Sequence, residues 1–324
     1  MRMTLRFFIV LMLASVALAE PITIKFSHVT SSDSPKGKGA ILFKKLVEER
    51  LAGRVEVEVY HNATLYSDAN EMEALKNNQV QMLAPSLSKF GSYTDQFAIF
   101  ELPFMFKNVD TLQKFWKKKA GTDLLNAVSN QGIVGLSFWS NGMKQIISNT
   151  PILVPQNARG VSFRIQNSDS IQRQFEMIGA LPVQMAFSKS FQALKDGTVQ
   201  ATENTWSNFY GQKYHTVQKY VTETNHGVLA YMLVTNRKFW SSLPFDIKVE
   251  LTEIVDEVSA YVNHEANKIN EQAKESILAT NQIKLLQLND DQRQQWQHVF
   301  DPFYADYVKT IDSAIYLTAK NVNR

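Results

Sequence analysis

Apolar and polar positions along this chain follow two rhythms that take turns. Ile22, Ile24 and Phe26 alternate with Thr23 and Lys25, the period of a strand with one face on a core. After a polar loop from His28 to Ser34, the residues Ala40, Phe43, Leu46, Val47 and Leu51 recur at helical spacing until Gly53 ends the run. Val55, Val57 and Val59 alternate again, a short helix carries Met72 and Leu75, and Val80 to Ala84 reads as a third strand. This order predicts a parallel sheet with crossover helices. The aromatic-rich stretch Phe97 to Phe106 is expected to be core. Ile133 to Trp139 reads as a buried strand that Asn141-Gly142 is expected to break.

Beyond that point the pattern starts afresh. Val161, Phe163 and Ile165 alternate with Ser162 and Arg164, and Ser168 suits the cap of a helix carrying Ile171, Phe175 and Ile178. Leu181 to Met185 is extended, a short helix runs from Ser188 to Gly197, and Thr198 to Thr202 leads into Glu203-Asn204-Thr205-Trp206. Gly227 to Thr235 is a further apolar strand. Two such arrays predict an α/β chain of two lobes with a cleft between them. Ile247, Leu251, Ile254, Val258, Val262, Ile269, Ala273 and Ile277 then fit one helix face with no glycine or proline before Thr280. A helix of that length exceeds the need of one small lobe and is expected to support both from behind. Its weaker pattern between Val262 and Ile269 leaves a kinked pair of helices as the alternative, and the tail to Arg324 reads as helix.

The second array draws attention to Arg164. It falls at the C-terminal end of a strand and just before a helix N-terminus, and in open α/β sheets ligands lie in the crevice beyond those strand ends. A guanidinium offers a rigid fork that matches a carboxylate at two points, and the free N–H groups of the helix add partial positive charge. Arg164 is therefore the candidate carboxylate clamp.

Residues 1–19 stand apart from this pattern. Arg2 and Arg6, the apolar run Phe7 to Leu13 and Ala17-Leu18-Ala19 read as a cleavable secretory signal, the apolar part being too short to favour the alternative of an uncleaved, spanning anchor. Its loss would take two positive charges from the formal +3, leaving +1. Near neutrality argues against a nucleic-acid or membrane-surface partner. The chain has no cysteine, so an exported product must rely on its core rather than on disulfides.

The familiar catalytic constellations are missing from the sequence. There is no thiol nucleophile, G-x-S-x-G elbow, Walker loop or H-E-x-x-H motif, and Pro35-Lys36-Gly37-Lys38-Gly39 lacks phosphate-loop spacing. The six histidines are scattered, none at metal-ligand spacing with a second ligand. No catalytic residue, metal or cofactor is expected.

Several runs carry a resemblance. Met185-Ala186-Phe187-Ser188, Phe191-Gln192-Ala193-Leu194-Lys195-Asp196-Gly197 and Glu203-Asn204-Thr205-Trp206-Ser207-Asn208 resemble the signature of periplasmic solute-binding proteins of TRAP (tripartite ATP-independent periplasmic) transporters. Asn141 to Gln145, Phe163 to Gln166 and His226 to Leu229 fit too, so the likeness covers essentially the whole chain after the signal. Ser34-Pro35-Lys36-Gly37 and Ala84-Pro85-Ser86-Leu87-Ser88-Lys89-Phe90 resemble the branch that binds four-carbon dicarboxylates.

The resemblance implies a two-lobe, periplasmic-binding-protein-like fold with a long helix spanning both lobes. The division it suggests is 20–141 plus 230–269 for the first lobe and 142–229 plus 270–324 for the second. It implies that Arg164 forms the carboxylate bridge, that Asn204 contacts the ligand and that Phe187 packs at the cleft wall. Asn204 alone could equally be a turn or cap residue. Lys144 stands where sialic-acid-binding relatives carry arginine, and their glutamate near Ser86 is missing, which argues against sialic acid. The second carboxylate is left open among Lys89, Lys36 and Lys144, in that order. The partners implied are a small dicarboxylate and the membrane permease subunits, with no nucleic acid; the chain is expected to be a periplasmic monomer. Other organic acids, such as monocarboxylates or sugar acids, and a sensory ligand-binding role stay open as alternatives.

Overall fold

Eleven strands, named in chain order, make two sheets in the computed structural model, which describes residues 20–324; the expected signal over residues 1–19 lies outside them. They are β1 (Ile22–Ser27), β2 (Val55–Tyr60), β3 (Met82–Leu83), β4 (Ile133–Met143), β5 (Gln145–Ser148), β6 (Ser162–Ile165), β7 (Leu181–Gln184), β8 (Ala201–Asn204), β9 (Tyr220–Glu223), β10 (Val228–Asn236) and β11 (Lys284–Gln287). The first sheet has the order β2-β1-β3-β10-β4 and the second β11-β9-β5-β8-β6-β7. As the alternating patterns require, β1 pairs in parallel with β2 and β3, and β6 with β7 and β8. The chain leaves the first sheet between β4 and β5 and returns to it between β9 and β10.

Asn141-Gly142 does not end its strand. Gly142 has φ 119° and still pairs with Leu229, next to a register shift in the β4–β10 ladder. Glycine lets the backbone bend there without breaking, and a side chain would meet Asn270 Nδ2 at 2.8 Å.

The apolar stripe from Ile247 to Ile277 forms one continuous 35-residue helix, Phe245–Ala279, rather than a kinked pair. Its first half, including Leu251, Ile254 and Val258, packs into the core of the first sheet, while Ala273 and Ile277 belong to a core of the second. Polar residues fix it to the crossing. Ser259 accepts from Trp139 Nε1 at 2.8 Å, and Asn263 accepts from Ser140 N at 2.7 Å. Asn270 donates to Asn141 O at 2.7 Å and accepts from Ser207 N, in the second lobe, at 2.9 Å.

The tail departs from the expected division and from an all-helical reading. After β11, the helix Asp290–Val299 rests on the second lobe, where Trp296 Nε1 donates to Leu153 O at 3.0 Å. The chain then returns to the first lobe: Tyr304 Oη donates to Pro103 O at 2.6 Å and Asn323 Nδ2 to Met105 O at 2.6 Å. Thus 270–324 is shared between the lobes. Both sheets turn their strand ends towards one interlobe cleft.

Candidate functional site

Between the lobes lies a small cavity lined by side chains of both. The first lobe contributes Lys36, Asp68, Glu71, Lys89 and Tyr231, and the second Arg164, Gln166, Phe187, Asn204 and Asn208.

Arg164 occupies the third position of β6, 1% exposed. Its Nε and Nη2 both donate to the Met185 carbonyl, at 3.0 and 2.8 Å. That grip fixes the plane of the guanidinium. Two of its five N–H donors are used, and the others remain for a guest. The Phe187 ring lies 5.6 Å from the guanidinium carbon and walls the same space. Ser168 caps the following helix by accepting from Ile171 N, as its position suggested.

Asn204 closes β8. Its Oδ1 accepts from Thr205 N at 2.9 Å and from Asn208 Nδ2 at 2.7 Å, so the amide nitrogen is oriented as a donor on the cavity side. Trp206, by contrast, packs in the second-lobe core and does not line the cavity.

The facing lobe supplies the other cations. Ser34 accepts from Gly37 N at 3.1 Å and Pro35 fills the first turn, which starts the helix Pro35–Arg50 and sets Lys36 against the cleft. Lys36 Nζ donates to Ala84 O at 3.0 Å and lies 3.7 Å from the Tyr231 ring centroid. Burial pulls its ammonium down to about 8, with Glu71 and Asp68 opposing the shift. Burial likewise raises Glu71 to about 7, with Lys36 opposing. Lys89 Nζ is 3.7 Å from Asp68 Oδ2, and Arg164 Nη2 is 4.0 Å from the same oxygen. Asp68 also ties the lobes together, its Oδ1 accepting from Phe187 N at 3.0 Å. A second tie joins Ser88 Oγ to Gln166 Oε1 at 3.2 Å, and a third joins Ser168 Oγ to Glu101 Oε1 at 3.0 Å. The lobes are therefore closed on each other.

Of the six sequence candidates, Arg164, Asn204, Lys89, Lys36 and Phe187 meet around this cavity; Lys144 does not line it. Lys144 Nζ donates to Glu203 Oε1 at 2.8 Å, Glu203 Oε2 lies 2.9 Å from His226 Nε2, and His226 Nδ1 lies 2.6 Å from Thr224 Oγ1. Burial would raise the Glu203 carboxyl, but Lys144 and His226 outweigh it and hold it at about 2. Lys144 is thus consumed at the crossing between the sheets. Sequence reasoning missed Asp68, Glu71, Asn208 and Tyr231. Asp68 and Glu71 follow β2 of the first sheet, on the stretch that leads from a strand end into a helix, and Asn208 lies one helical turn past Asn204; Tyr231 carries no such signal. Among the described residues no cluster of three or more His, Cys, Asp or Glu could hold a metal ion.

Residues 26–310 match the family model described as bacterial extracellular solute-binding protein, family 7. The C4-dicarboxylate-binding periplasmic protein DctP of Vibrio cholerae is 44% identical over 304 residues, covering 94% of this chain and 91% of the relative. A crystal structure of a TRAP periplasmic solute-binding protein from Shewanella oneidensis with bound succinate superposes with TM-score 0.92 at 43% identity, covering 94% of this chain and 100% of that one. Another, from Pseudomonas aeruginosa PAO1 with bound L-malate, gives TM-score 0.86 at 48% identity, covering 89% and 100%.

Proposed function

Because the chain belongs to family 7 of the bacterial extracellular solute-binding proteins, we propose that it is the substrate-binding subunit of a TRAP transporter that captures C4-dicarboxylates. It carries its ligand without altering it. The observation that carries this reading is the Arg164 fork, anchored on Met185 O with donors to spare, facing a closed cavity whose opposite wall bears lysines. Succinate, fumarate or malate enters the open cleft, Arg164 and Asn204 take one carboxylate, and a lysine of the first lobe takes the other. A ligand that touches both lobes binds the closed state better than the open one, and so shifts the population to it. Each charge-assisted hydrogen bond contributes about 1.5–3 kcal/mol, so two or three offset the ordering cost of a small guest.

The closed, loaded form is then the one that docks on the membrane permease, after removal of residues 1–19 and release of a monomer into the periplasm. A hydroxylated acid is the second reading, favoured by Asp68 and Glu71, which line the cavity and can accept from hydroxyls. Titration calorimetry of the exported protein with succinate, fumarate and L-malate, beside butyrate and glucuronate, tests both. Micromolar or tighter binding confined to the dicarboxylates is expected. Tight binding of glucuronate with none of succinate would reverse the assignment.

A further inference from the structure

Glu101 stands outside the ligand cavity but on the seam between the lobes. It follows the helical turn Asp95–Phe100 of the first lobe, where Phe97 and Phe100 are buried and Phe100 packs against Phe106, Phe115 and Phe138. The loop that begins with Glu101 is held from three directions. Gln174 Nε2, in the second-lobe helix Asp169–Met177, donates to Glu101 O at 2.8 Å. Tyr304 Oη, in the tail, donates to Pro103 O, and Phe104 N donates to His226 O, at the crossing, at 2.8 Å. Phe104 has φ 60°, a left-handed backbone that a bulky residue rarely adopts. Such a conformation persists only where the surroundings over-determine it, and it clusters at clamps and switches.

The carboxylate at the start of this loop reaches the other lobe. Ser168 Oγ donates to it, 3.0 Å from Oε1 and 3.1 Å from Oε2, while accepting from Ile171 N as the cap of its own helix. The free N–H groups of that helix end add to the attraction. Ser168 closes the stretch Arg164-Ile165-Gln166-Asn167-Ser168, so the bond acts on the segment that presents the guanidinium. Midway along it, Gln166 Oε1 accepts from first-lobe Ser88 Oγ at 3.2 Å. Of these two ties, the one to the carboxylate is the stronger, since an ionised acceptor strengthens a hydrogen bond.

We propose that Glu101 is a positioning residue for ligand capture: it clasps Ser168 when the lobes meet and so holds the Arg164 segment where a ligand is gripped from both sides. This rests on the dicarboxylate reading above and adds to it a contact that stabilises the closed form without touching the ligand. Apparent affinity scales with the population of the binding-competent form, so loss of the clasp weakens binding while every cavity contact stays in place.

The test is succinate titration calorimetry on the exported protein and its Glu101→Met, Glu101→Gln and Ser168→Gly variants. Methionine fills the space of the glutamate without its acceptor, and glycine removes the Ser168 hydroxyl yet remains a tolerated helix cap. The Kd should rise about tenfold in Glu101→Met and in Ser168→Gly, as expected for loss of a hydrogen bond to a charged group. The double variant should be little worse than either, and Glu101→Gln, which keeps an acceptor for Ser168, should recover most of the loss. An unchanged Kd in Glu101→Met overturns the proposal. So does a Gln variant as weak as the Met variant, or strict additivity in the double variant. Should Glu101→Met fail to fold, a wild-type Kd in Ser168→Gly overturns it alone. The wild type is the control for the underlying reading: if it binds no C4-dicarboxylate, that reading falls and this inference with it. If it binds succinate and the Met and Gly variants bind equally well, only the inference falls.

Discussion

Two buried charge clusters, one around Glu203 and one around Asp68, are built oppositely. At the sheet crossing, Lys144, Glu203, His226 and Thr224 form an unbroken chain of contacts at 2.8, 2.9 and 2.6 Å. In the cavity, Arg164, Lys89 and Asp68 stand 3.7 to 4.0 Å apart, beyond hydrogen-bond distance, with guanidinium donors left over. Buried charges are tolerated when paired and hydrogen-bonded. The first cluster satisfies itself and is part of the architecture. The second is incomplete, and the dianion of the proposed function would complete it. Proximity of a lysine to the cleft therefore says little about binding; its unspent donors say more.

Substitutions in and around the two clusters would break or sharpen this contrast. The largest effect is expected for Glu203→Ala, which strands a buried ammonium and an imidazole. Loss of one partner from such a cluster costs about 3–5 kcal/mol of stability, measurable as a lower denaturant midpoint. Replacing Lys144 and Glu203 together by Met and Gln should restore most of it; if the double variant is no better than the single one, the network does more than neutralise itself.

Arg164→Ala should reverse the pattern, with a modest change in stability and a loss of about 2–5 kcal/mol in succinate binding, read by calorimetry. Arg164→Lys should not rescue binding. A lysine lacks both the two-point grip on Met185 O and the remaining fork. Binding equal to wild type in the lysine variant would mean that charge alone suffices.

The smallest effect concerns pH. Burial raises the Glu101 carboxyl from its ordinary 4.5 to about 7, with Lys144, Ser170 and Ser168 pulling the other way. The folded chain binds that proton more tightly than the unfolded chain. The resulting stabilisation is fully present below pH 4.5 and is lost as pH rises through about 7. Glu203, held at about 2, acts in the opposite sense, stabilising above 4.5 and losing that contribution as pH falls towards 2. Glu101→Gln should flatten the decline between pH 4.5 and 7 by about 2–3 kcal/mol, as followed by denaturant unfolding at the two ends of that range. A decline as steep as the wild type's would assign it to another group.

The sequence made some of this legible and hid the rest for physical reasons. Strand and helix periods located Arg164 at a strand end, and the stripe from Ile247 to Ile277 gave the long helix, because both patterns are repeated locally and bury one face. Gly142 misled, since its role is set by the approach of Asn270 from a distant helix. The tail's return to Pro103 and Met105 has no local signature either. In the site, Lys144 and Lys89 look alike as residues in polar loops. Only their partners, Glu203 and Asp68, separate them, and those partnerships join segments far apart in the chain. Tyr231 reads as one more apolar strand position; its place on the cavity wall emerges only in the folded chain.

The most direct measurement is a crystal structure of the protein with succinate bound. One carboxylate should lie on the Arg164 fork beside Asn204 and the other on the first-lobe wall, with the Lys144–Glu203–His226 chain left intact. Succinate resting on Lys144, or an Arg164 guanidinium that makes no contact with it, would contradict the account.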